Sequence, residues 1–395
     1  MRWIGTRSIV TMAAVLASAI ARAALLDADF SQGALPEGWE CRSVACHIRP
    51  GAGIELKEDP HWNERMPRGY LQSPAIQIKP FHYAALDFSY RGKFPGYWVV
   101  SYFDEQGKEL VVDNYDRIDR SSGWRTNRFV FRGHAMATQF RLRFLPDGQA
   151  MTLGKVTVTD ADPAAVVAWA DSIAATFPPV AEPLPATRGD LIPRTMRILR
   201  EGGRLRIVML GDSICSDIAN SLFEAPLMRL YPKATIEVVS SIRASTGCAY
   251  YKSKNRVQEF ALRFEPDLVI IAGISHGYDA ESIRSVIRQI REKSDCDLLV
   301  LSGAICPEAT CRAGFLYRNP LSRAEADAQM DRFPETLRAM AADERAGFLD
   351  MRGVWDRYMQ ASARPSDWFQ RDQIHANYRG KQVAGRMLVR FFEPL

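Results

Sequence analysis

The chain has 395 residues, a length that usually folds as two or three domains rather than around one core. Its composition is 47% hydrophobic, 25% charged and 10% aromatic, which excludes a disordered or fibrous protein. The net charge of +5 at pH 7 falls to +2 without the three arginines of residues 1–23, so charge gives no indication of nucleic-acid binding.

Residues 1–23 are predicted to be a secretory signal peptide. Arg2 and Arg7 give a positive n-region, residues 9–20 are apolar, and the Ala-Arg-Ala of residues 21–23 fits a small-x-small cleavage site. An anchoring helix is the alternative, but it needs about 20 apolar residues to span a bilayer. We therefore expect an exported protein, periplasmic or secreted, with no stable membrane span after signal cleavage.

Residues 24–160 are predicted to form an all-β domain. Runs rich in β-branched and aromatic residues recur, and turn signals such as the Pro-Asp-Gly of residues 146–148 separate them. Short strands at this spacing favour a β-sandwich or jelly roll. The runs lie at residues 83–90, 97–103, 128–131, 139–144 and 154–159.

Aromatic residues are frequent in this β domain. Their rings can stack on sugars, or they can pack in the core or form a wall of a substrate cleft, and the sequence leaves both interpretations open. The residues are Trp39, His61, Trp62, Tyr97, Trp98, Tyr115 and Trp124.

The chain changes character after a helical and proline-rich linker at residues 161–200. Over residues 201–395, nearly continuous apolar strands alternate with helices, which predicts a parallel sheet covered on both faces. In such sheets ligands bind at the carboxyl ends of the strands. The predicted strands are 204–210, 235–240, 268–272, 297–302 and 347–350, and the predicted helices are 214–230, 257–264, 280–293 and 378–392.

The first of these strands ends in Gly211-Asp212-Ser213, just before a helix. A nucleophilic serine benefits from this position, because unpaired N–H groups and the helix dipole favour a developing oxyanion. Gly211 permits the tight turn, and Asp212 is predicted to brace the loop. The alternative is a simple helix cap, since serine and aspartate are good caps.

Asp372 and His375 lie three residues apart, just before the last predicted helix. In a turn, the carboxylate can accept the Nδ1 proton of the imidazole and leave Nε2 to take a proton from a serine. The alternative is a plain turn in which Asn377 caps the helix. Only two histidines, His276 and His375, occur in residues 201–395, which favours the catalytic interpretation.

Over about residues 204–395 the sequence resembles the SGNH (GDSL-like) hydrolase family. The Gly-Asp-Ser triplet matches its first block with Ser213 as nucleophile, and Asp372 with His375 matches its fifth block. The second-block glycine, whose N–H helps to form the oxyanion hole, would be Gly247. The resemblance implies a flavodoxin-like, three-layer α/β sandwich with a Ser-His-Asp triad, and no cofactor or metal.

The third block departs from the Gly-x-Asn-Asp of the family, because this chain has Gly273-Ile274-Ser275-His276. Ser275 replaces the asparagine that donates to the oxyanion, and losing such a donor typically costs about 10²–10³ in turnover. We expect Ser275, His276 or another donor to compensate, or the enzyme to be slow, specialised or inactive. His276 is interpreted either as a substrate-binding residue or as a histidine satisfied within its loop.

Other residues near the second block are candidates for substrate binding. Arg243 and Tyr250 lie in the same loop region as Gly247, with packing as the alternative for the tyrosine. Residues 304–323 show little periodicity and are predicted to form a lid or rim loop.

The chain has seven cysteines, so at least one thiol is free. Two pairs close in sequence, Cys41 with Cys46 and Cys306 with Cys311, are each able to close a small loop. If the family fold holds, Cys215 and Cys248 line one cleft, either as a disulfide or as two buried thiols.

The sequence therefore predicts an exported two-domain serine esterase that acts on an acylated carbohydrate or a small ester. An N-terminal sandwich joined to an SGNH domain is similar to some bacterial carbohydrate esterases. One alternative is an acyltransferase that uses the same triad. The other is a non-catalytic glycan-binding protein, in which the altered third block marks lost activity.

Overall fold

A computed structural model of the chain describes residues 24–58, 69–93, 96–148, 150–181, 184–303, 323–372 and 374–394. The predicted signal peptide, His61, Trp62, Cys306, Cys311 and all but the last residue of the predicted lid lie outside the described residues. No helix within the described ranges is long and apolar enough to cross a membrane.

The N-terminal region consists of antiparallel strands. They are β1 (Ala24–Asp29), β2 (Glu40–Arg42), β3 (Val44–Arg49), β4 (Gly53–Glu58), β5 (Tyr70–Gln72), β6 (Ile76–Gln77), β7 (Tyr83–Gly92), β8 (Tyr97–Phe103), β9 (Glu109–Arg117), β10 (Ser121–Arg132), β11 (Gln139–Leu145) and β12 (Met151–Ala161). One sheet has the order β10-β7-β12-β4-β3, with β1 also paired to β12, and the other has the order β2-β5-β11-β8-β9, with β6 also paired to β11.

The two sheets share one core. Along β11 every second residue is buried, as expected for a strand with one face inside and one outside. Phe88 of the first sheet and Phe144 of the second meet edge to face, with ring centroids 5.2 Å apart. Trp39 and Trp98 are buried in this core, whereas Trp124 is 48% exposed. Packing therefore accounts for two of the predicted aromatic residues.

The C-terminal region is a five-stranded parallel sheet with helices, as predicted. Its strands, β13 (Gly203–Gly211), β14 (Ala234–Ile242), β15 (Leu268–Ala272), β16 (Asp297–Leu301) and β17 (Gly347–Leu349), have the order β14-β13-β15-β16-β17. This order is that of the flavodoxin-like sheets. The helices are α1 (Pro163–Ala174), α2 (Pro193–Glu201), α3 (Ser213–Ala219), α4 (Glu224–Leu230), α5 (Cys248–Tyr251), α6 (Arg256–Phe260), α7 (Ala280–Arg291), α8 (Arg323–Asp343), α9 (Met351–Ser362) and α10 (Tyr378–Phe392).

Burial explains the sheet, and local chemistry explains the helix ends. Every residue of β15 and β16 is buried, which fits strands covered on both faces. The single helix predicted at residues 214–230 is wrong, because the chain breaks at Leu222, where φ is +59°, and forms α3 and α4 instead. Pro226 lies in the first turn of α4, where its missing N–H costs nothing.

Buried contacts join the two regions. α1 and α2 both bury one face, and these two helices pack against the α/β region, α1 on α4 and α10 and α2 on β13 and β14. Arg132 of β10 forms an ion pair with Glu224 of α4, and both side chains are buried. The edge strand β9 lies against α3 and β14 and so reaches the carboxyl end of the parallel sheet.

Candidate active site

Ser213 is placed by the turn that joins β13 to α3. Asp212 caps the helix, because its Oδ1 accepts the N–H of Ile214 at 3.0 Å. Ser213 is therefore the first residue of the helix, directly beyond the carboxyl end of the central strand, and its side chain is half-buried.

His375 lies opposite Ser213, on the segment that precedes α10. We call residues 371, 372 and 374–376 the His375 loop. His375 Nε2 is 2.8 Å from Ser213 Oγ, and His375 Nδ1 is 2.8 Å from Asp372 Oδ2. Asp372 Oδ1 also accepts the N–H groups of Ile374 and His375, each at 2.9 Å. The sequence-predicted serine, histidine and aspartate thus form one hydrogen-bonded chain.

The surroundings keep Asp372 ionised. Burial alone would raise its pKa, but the hydrogen bonds from the His375 ring and from the Ile374 and His375 N–H groups outweigh burial and lower the pKa to about 2. An ionised carboxylate on Nδ1 holds the imidazole with Nε2 free to accept a proton. The arrangement is able to activate the Ser213 hydroxyl as a nucleophile.

Asp212 also fixes the neighbouring segment, residues 273–279, which we call the Ser275 loop. Its Oδ2 accepts the N–H of Ile274 at 2.7 Å and that of Ser275 at 2.6 Å. Gly273 has a φ of +119°, and a Cβ there would lie 2.4 Å from Asp212 Oδ1. Only glycine fits this position, so the turn and the Ser275 loop form one unit.

Gly247 lies where the second block was predicted, beside the Ser275 loop. A Cβ on Gly247 would lie 2.1 Å from the carbonyl oxygen of Ser275, so the two loops touch through their backbones. Within the described residues, no acceptor binds the N–H of Ser213 or that of Gly247. An unpaired N–H group is able to donate to an oxyanion, and one of these two belongs to Ser213 itself.

Ser275 and His276 differ in what they offer to the site. The hydroxyl of Ser275 has no hydrogen-bond partner among the described residues, and the residue is half-buried. His276 is buried, and its Nδ1 accepts the N–H of Cys248 at 3.3 Å. Burial lowers the pKa of His276, which keeps the ring neutral. This placement favours a bracing role for His276.

The two candidates for substrate binding from the second block lie at the surface beside Gly247. The guanidinium carbon of Arg243 lies 5.0 Å from the ring centroid of Tyr250, and that of Arg256 lies 3.4 Å from the same centroid. Tyr250 is thus engaged by two arginines and half-buried, while Arg243 is exposed. The backbone N–H of Arg243 donates to the carbonyl oxygen of Gly211 at 3.1 Å.

The cysteines are only partly paired. Cys41 and Cys46 form a disulfide. The disulfide considered between Cys215 and Cys248 does not form, and both are buried thiols, as is Cys296. Burial raises the pKa of Cys215 and of Cys248, so neither is a thiolate near neutral pH.

The sequence interpretation missed the charged residues that hold the His375 loop. Arg371, directly before Asp372, forms a buried ion pair with Asp217 of α3 at 2.8 Å. Tyr115 of the sandwich lies beside them, with its ring centroid 6.5 Å from that of His375. One signal was present, since Asp217 lies four residues after Ser213 and so on the same helical face. Among the described residues, no group of three or more histidine, cysteine or acidic side chains is arranged to hold a metal ion.

No curated protein matches the chain. One similar solved structure is a catalytic mutant of Axe2, an acetylxylan esterase from Geobacillus stearothermophilus. The match has 15% sequence identity and a TM-score of 0.37, and it covers 48% of this chain and 95% of the Axe2 chain. A second is a two-domain esterase (CEX) active on acetylated mannans. It matches with 16% sequence identity and a TM-score of 0.37, over 51% of this chain and 52% of the CEX chain. A gut microbial diltiazem-metabolizing enzyme is 16% identical over 48% of this chain and 47% of its own, with a TM-score of 0.38.

Residues 209–383 match the model of the GDSL-like Lipase/Acylhydrolase family. The matched range begins within β13 and ends within α10, so it includes Ser213, Gly247, Asp372 and His375. The C-terminal part of the chain is a GDSL-like lipase/acylhydrolase domain, preceded by an all-β domain.

Proposed function

We propose that the protein is an exported serine esterase that hydrolyses acetyl or other small acyl esters, with an acylated carbohydrate as its substrate. The observation that carries the proposal is the unbroken chain of contacts from Ser213 Oγ to His375 and on to Asp372, each step 2.8 Å long. Serine hydrolases on unrelated folds share this constellation.

The reaction proceeds through an acyl-enzyme. Ser213 Oγ attacks the ester carbonyl while His375 Nε2 takes its proton, and the N–H groups of Ser213 and Gly247 bind the oxyanion, aided by the Ser275 hydroxyl. His375 then returns the proton to the departing sugar hydroxyl. Water attacks the acyl-serine by the same path, which releases the acid and restores the serine. Asp372 holds Nδ1–H throughout.

The carbohydrate part of the proposal is supported by the position of the sandwich. Tyr115 lies beside His375, and Tyr97 lies next to it with ring centroids 6.5 Å apart. Two neighbouring half-buried phenol rings, one of them beside His375, suit the apolar faces of a sugar ring. The Asp372 side chain is 40% exposed, so the site opens toward solvent and admits a substituent of a large molecule.

Two features support export. Residues 1–23 have the composition of a signal peptide. The Cys41–Cys46 disulfide suits an oxidising compartment, since cytosolic proteins rarely keep such bonds.

The test compares the mature chain from Ala24 onward with its Ser213→Ala and Ser216→Ala variants. Each is offered p-nitrophenyl acetate and an acetylated polysaccharide, with and without a free sugar acceptor. We expect hydrolysis by the wild type, a loss of about 10⁵-fold or more in Ser213→Ala, and retention in Ser216→Ala, a serine on the same helix outside the triad. Inactive but folded wild type, or full activity in Ser213→Ala, would contradict the proposal. Transfer that requires the acceptor would identify an acyltransferase instead.

A further inference from the structure

Arg371 ties down the His375 loop at both ends. Its backbone N–H donates to the carbonyl oxygen of His375 at 3.0 Å, and its guanidinium donates to the carbonyl oxygen of Ala376 and to Asp217 Oδ1. Asp217 Oδ2 in turn accepts the N–H of Ala376 at 3.0 Å. Arg371 and Asp217 are 2% and 3% exposed, so these bonds form away from water. The loop is thereby fastened to a single carboxylate.

That carboxylate belongs to the helix that carries the nucleophile. Asp217 lies one helical turn after Ser213 on α3, so both side chains project from the same face. The separation between Ser213 Oγ and His375 Nε2 therefore depends on the Asp217–Arg371 pair as well as on the hydrogen bond between them.

The sandwich domain completes this cluster of charges. Lys381 of α10 lies 3.3 Å from Asp116 of β9 and 4.0 Å from Asp217, and it donates to the carbonyl oxygen of Tyr115 at 2.8 Å. Tyr115 precedes Asp116 on β9, and its ring centroid lies 4.0 Å from the guanidinium carbon of Arg371. Two cations and two carboxylates are thus buried together, and one carboxylate comes from the other domain.

We propose that Tyr115 and Asp116 of the sandwich domain are positioning residues for His375, acting through Arg371, Lys381 and Asp217. The inference rests on the proposed function, since it assigns a role in the same triad. It makes the sandwich a working part of the esterase and not only a domain attached to it.

The physical reason is competition for Asp217. With Asp116 neutralised, Lys381 loses its nearer anion, and Asp217 is the carboxylate that remains within 4.0 Å of it among the described residues. Lys381 then draws that carboxylate from Arg371 and from the Ala376 N–H, and the His375 loop shifts. A displacement of about 1 Å at a catalytic group can cost about 10²-fold in rate.

The molecule offers a matched control at the same domain interface. Glu224 is a fully buried carboxylate that pairs with a cation of the other domain, Arg132, and accepts the Tyr83 hydroxyl at 3.1 Å. It lies on α4, and no hydrogen bond or ion pair joins it to the His375 loop among the described residues. Glu224→Gln therefore removes a buried interface charge without touching the cluster around Arg371.

The experiment compares Asp116→Asn with Glu224→Gln in the mature protein, using p-nitrophenyl acetate and a fluorophosphonate that labels active serines. We expect both variants to lower Tm. Only Asp116→Asn should lower kcat per labelled site, by about tenfold to 10²-fold, with KM within about twofold and a matching fall in the labelling rate constant. Equal kcat per labelled site in both variants would overturn the inference, because a purely structural role lowers only the labelled fraction.

Tyr115 provides a second variant pair without a buried charge, in case Asp116→Asn does not fold. Tyr115→Leu removes the ring over Arg371 and should lower kcat per site, while Tyr115→Phe keeps the ring and should recover most of the loss. Equal rates for Tyr115→Leu and wild type would contradict the inference. Wild type that takes no label overturns the proposed function itself, so the two failures are distinct.

Discussion

Two loops meet at Ser213, and they serve the site by different means. The His375 loop supplies side chains, the imidazole and the carboxylate, and buried charges from α3 and the sandwich hold it. The Ser275 loop is held through its backbone, since the N–H groups of Ile274 and Ser275 bind Asp212. Its histidine is buried and accepts the N–H of Cys248, and no hydrogen bond joins it to Ser213 among the described residues.

The two loops should therefore respond differently to substitution. The His375 loop contributes through the chemical groups of its side chains, so even an isosteric substitution there should cause the largest loss of activity. The Ser275 loop depends on close backbone packing, so a methyl group added at Gly273 should reduce activity more than the loss of a polar side chain does. This is why the departure from Gly-x-Asn-Asp leaves the geometry around Ser213 in place.

The largest effect expected in this comparison is that of Asp372→Asn. The amide can still fill the space, but it no longer holds the imidazole in the tautomer that leaves Nε2 free to accept a proton. We expect kcat on p-nitrophenyl acetate to fall about 10⁴-fold with little change in Tm.

Asp367→Asn is the control for this substitution, since Asp367 is an exposed carboxylate five residues away on the same approach to α10. It should keep wild-type activity. If Asp372→Asn also kept it, the carboxylate would have no role in orienting His375, and the contrast between the two loops would disappear.

The parts of this site that the sequence predicted are those with a local signal. Gly211-Asp212-Ser213 ends an apolar strand, and Asp372 precedes His375 by one turn just before a helix. The strand or helix next to each motif in the sequence therefore determines where its residues lie. The parallel sheet was predictable for the same reason, because β15 and β16 are short apolar runs with no alternation and β13 ends in such a run. These signals need no knowledge of distant contacts.

The charged cluster around Arg371 gave no such signal. Asp116, Asp217 and Lys381 come from different domains or from elements far apart in the chain, and charged residues are usually at the surface. The break at Leu222 was missed because no glycine or proline occupies that position, although Pro226 marks the first turn of a new helix. Tertiary packing decides both features.

A smaller effect than that of Asp372→Asn is expected at the backbone of the Ser275 loop. In Gly273→Ala the new Cβ would lie 2.4 Å from Asp212 Oδ1, at a φ of +119° that alanine rarely adopts. Asp212 must move, and with it the turn that carries Ser213. We expect a loss of about 10²-fold in kcat and a lower Tm.

Gly277→Ala controls for backbone strain, because Gly277 also has a positive φ, +60°, but a Cβ there meets nothing within 4 Å. It should lose a little stability and little activity. Equal losses in the two variants would mean that strain in the Ser275 loop matters and that its contact with Asp212 does not.

The smallest effect is expected at the side chain of Ser275. Its N–H is committed to Asp212, so only the hydroxyl, which has no partner among the described residues, is free to reach an oxyanion. A serine hydroxyl is shorter than the asparagine amide of the family, and the N–H groups of Ser213 and Gly247 have no acceptor among the described residues. We therefore expect Ser275→Ala to lower kcat about tenfold at constant KM, less than the 10²–10³ of a full oxyanion donor. Ser275→Asn should match or exceed the wild type, because it restores an amide donor at that position. Unchanged kcat in Ser275→Ala would show that the N–H groups of Ser213 and Gly247 suffice, and that the Ser275 loop acts through its backbone alone.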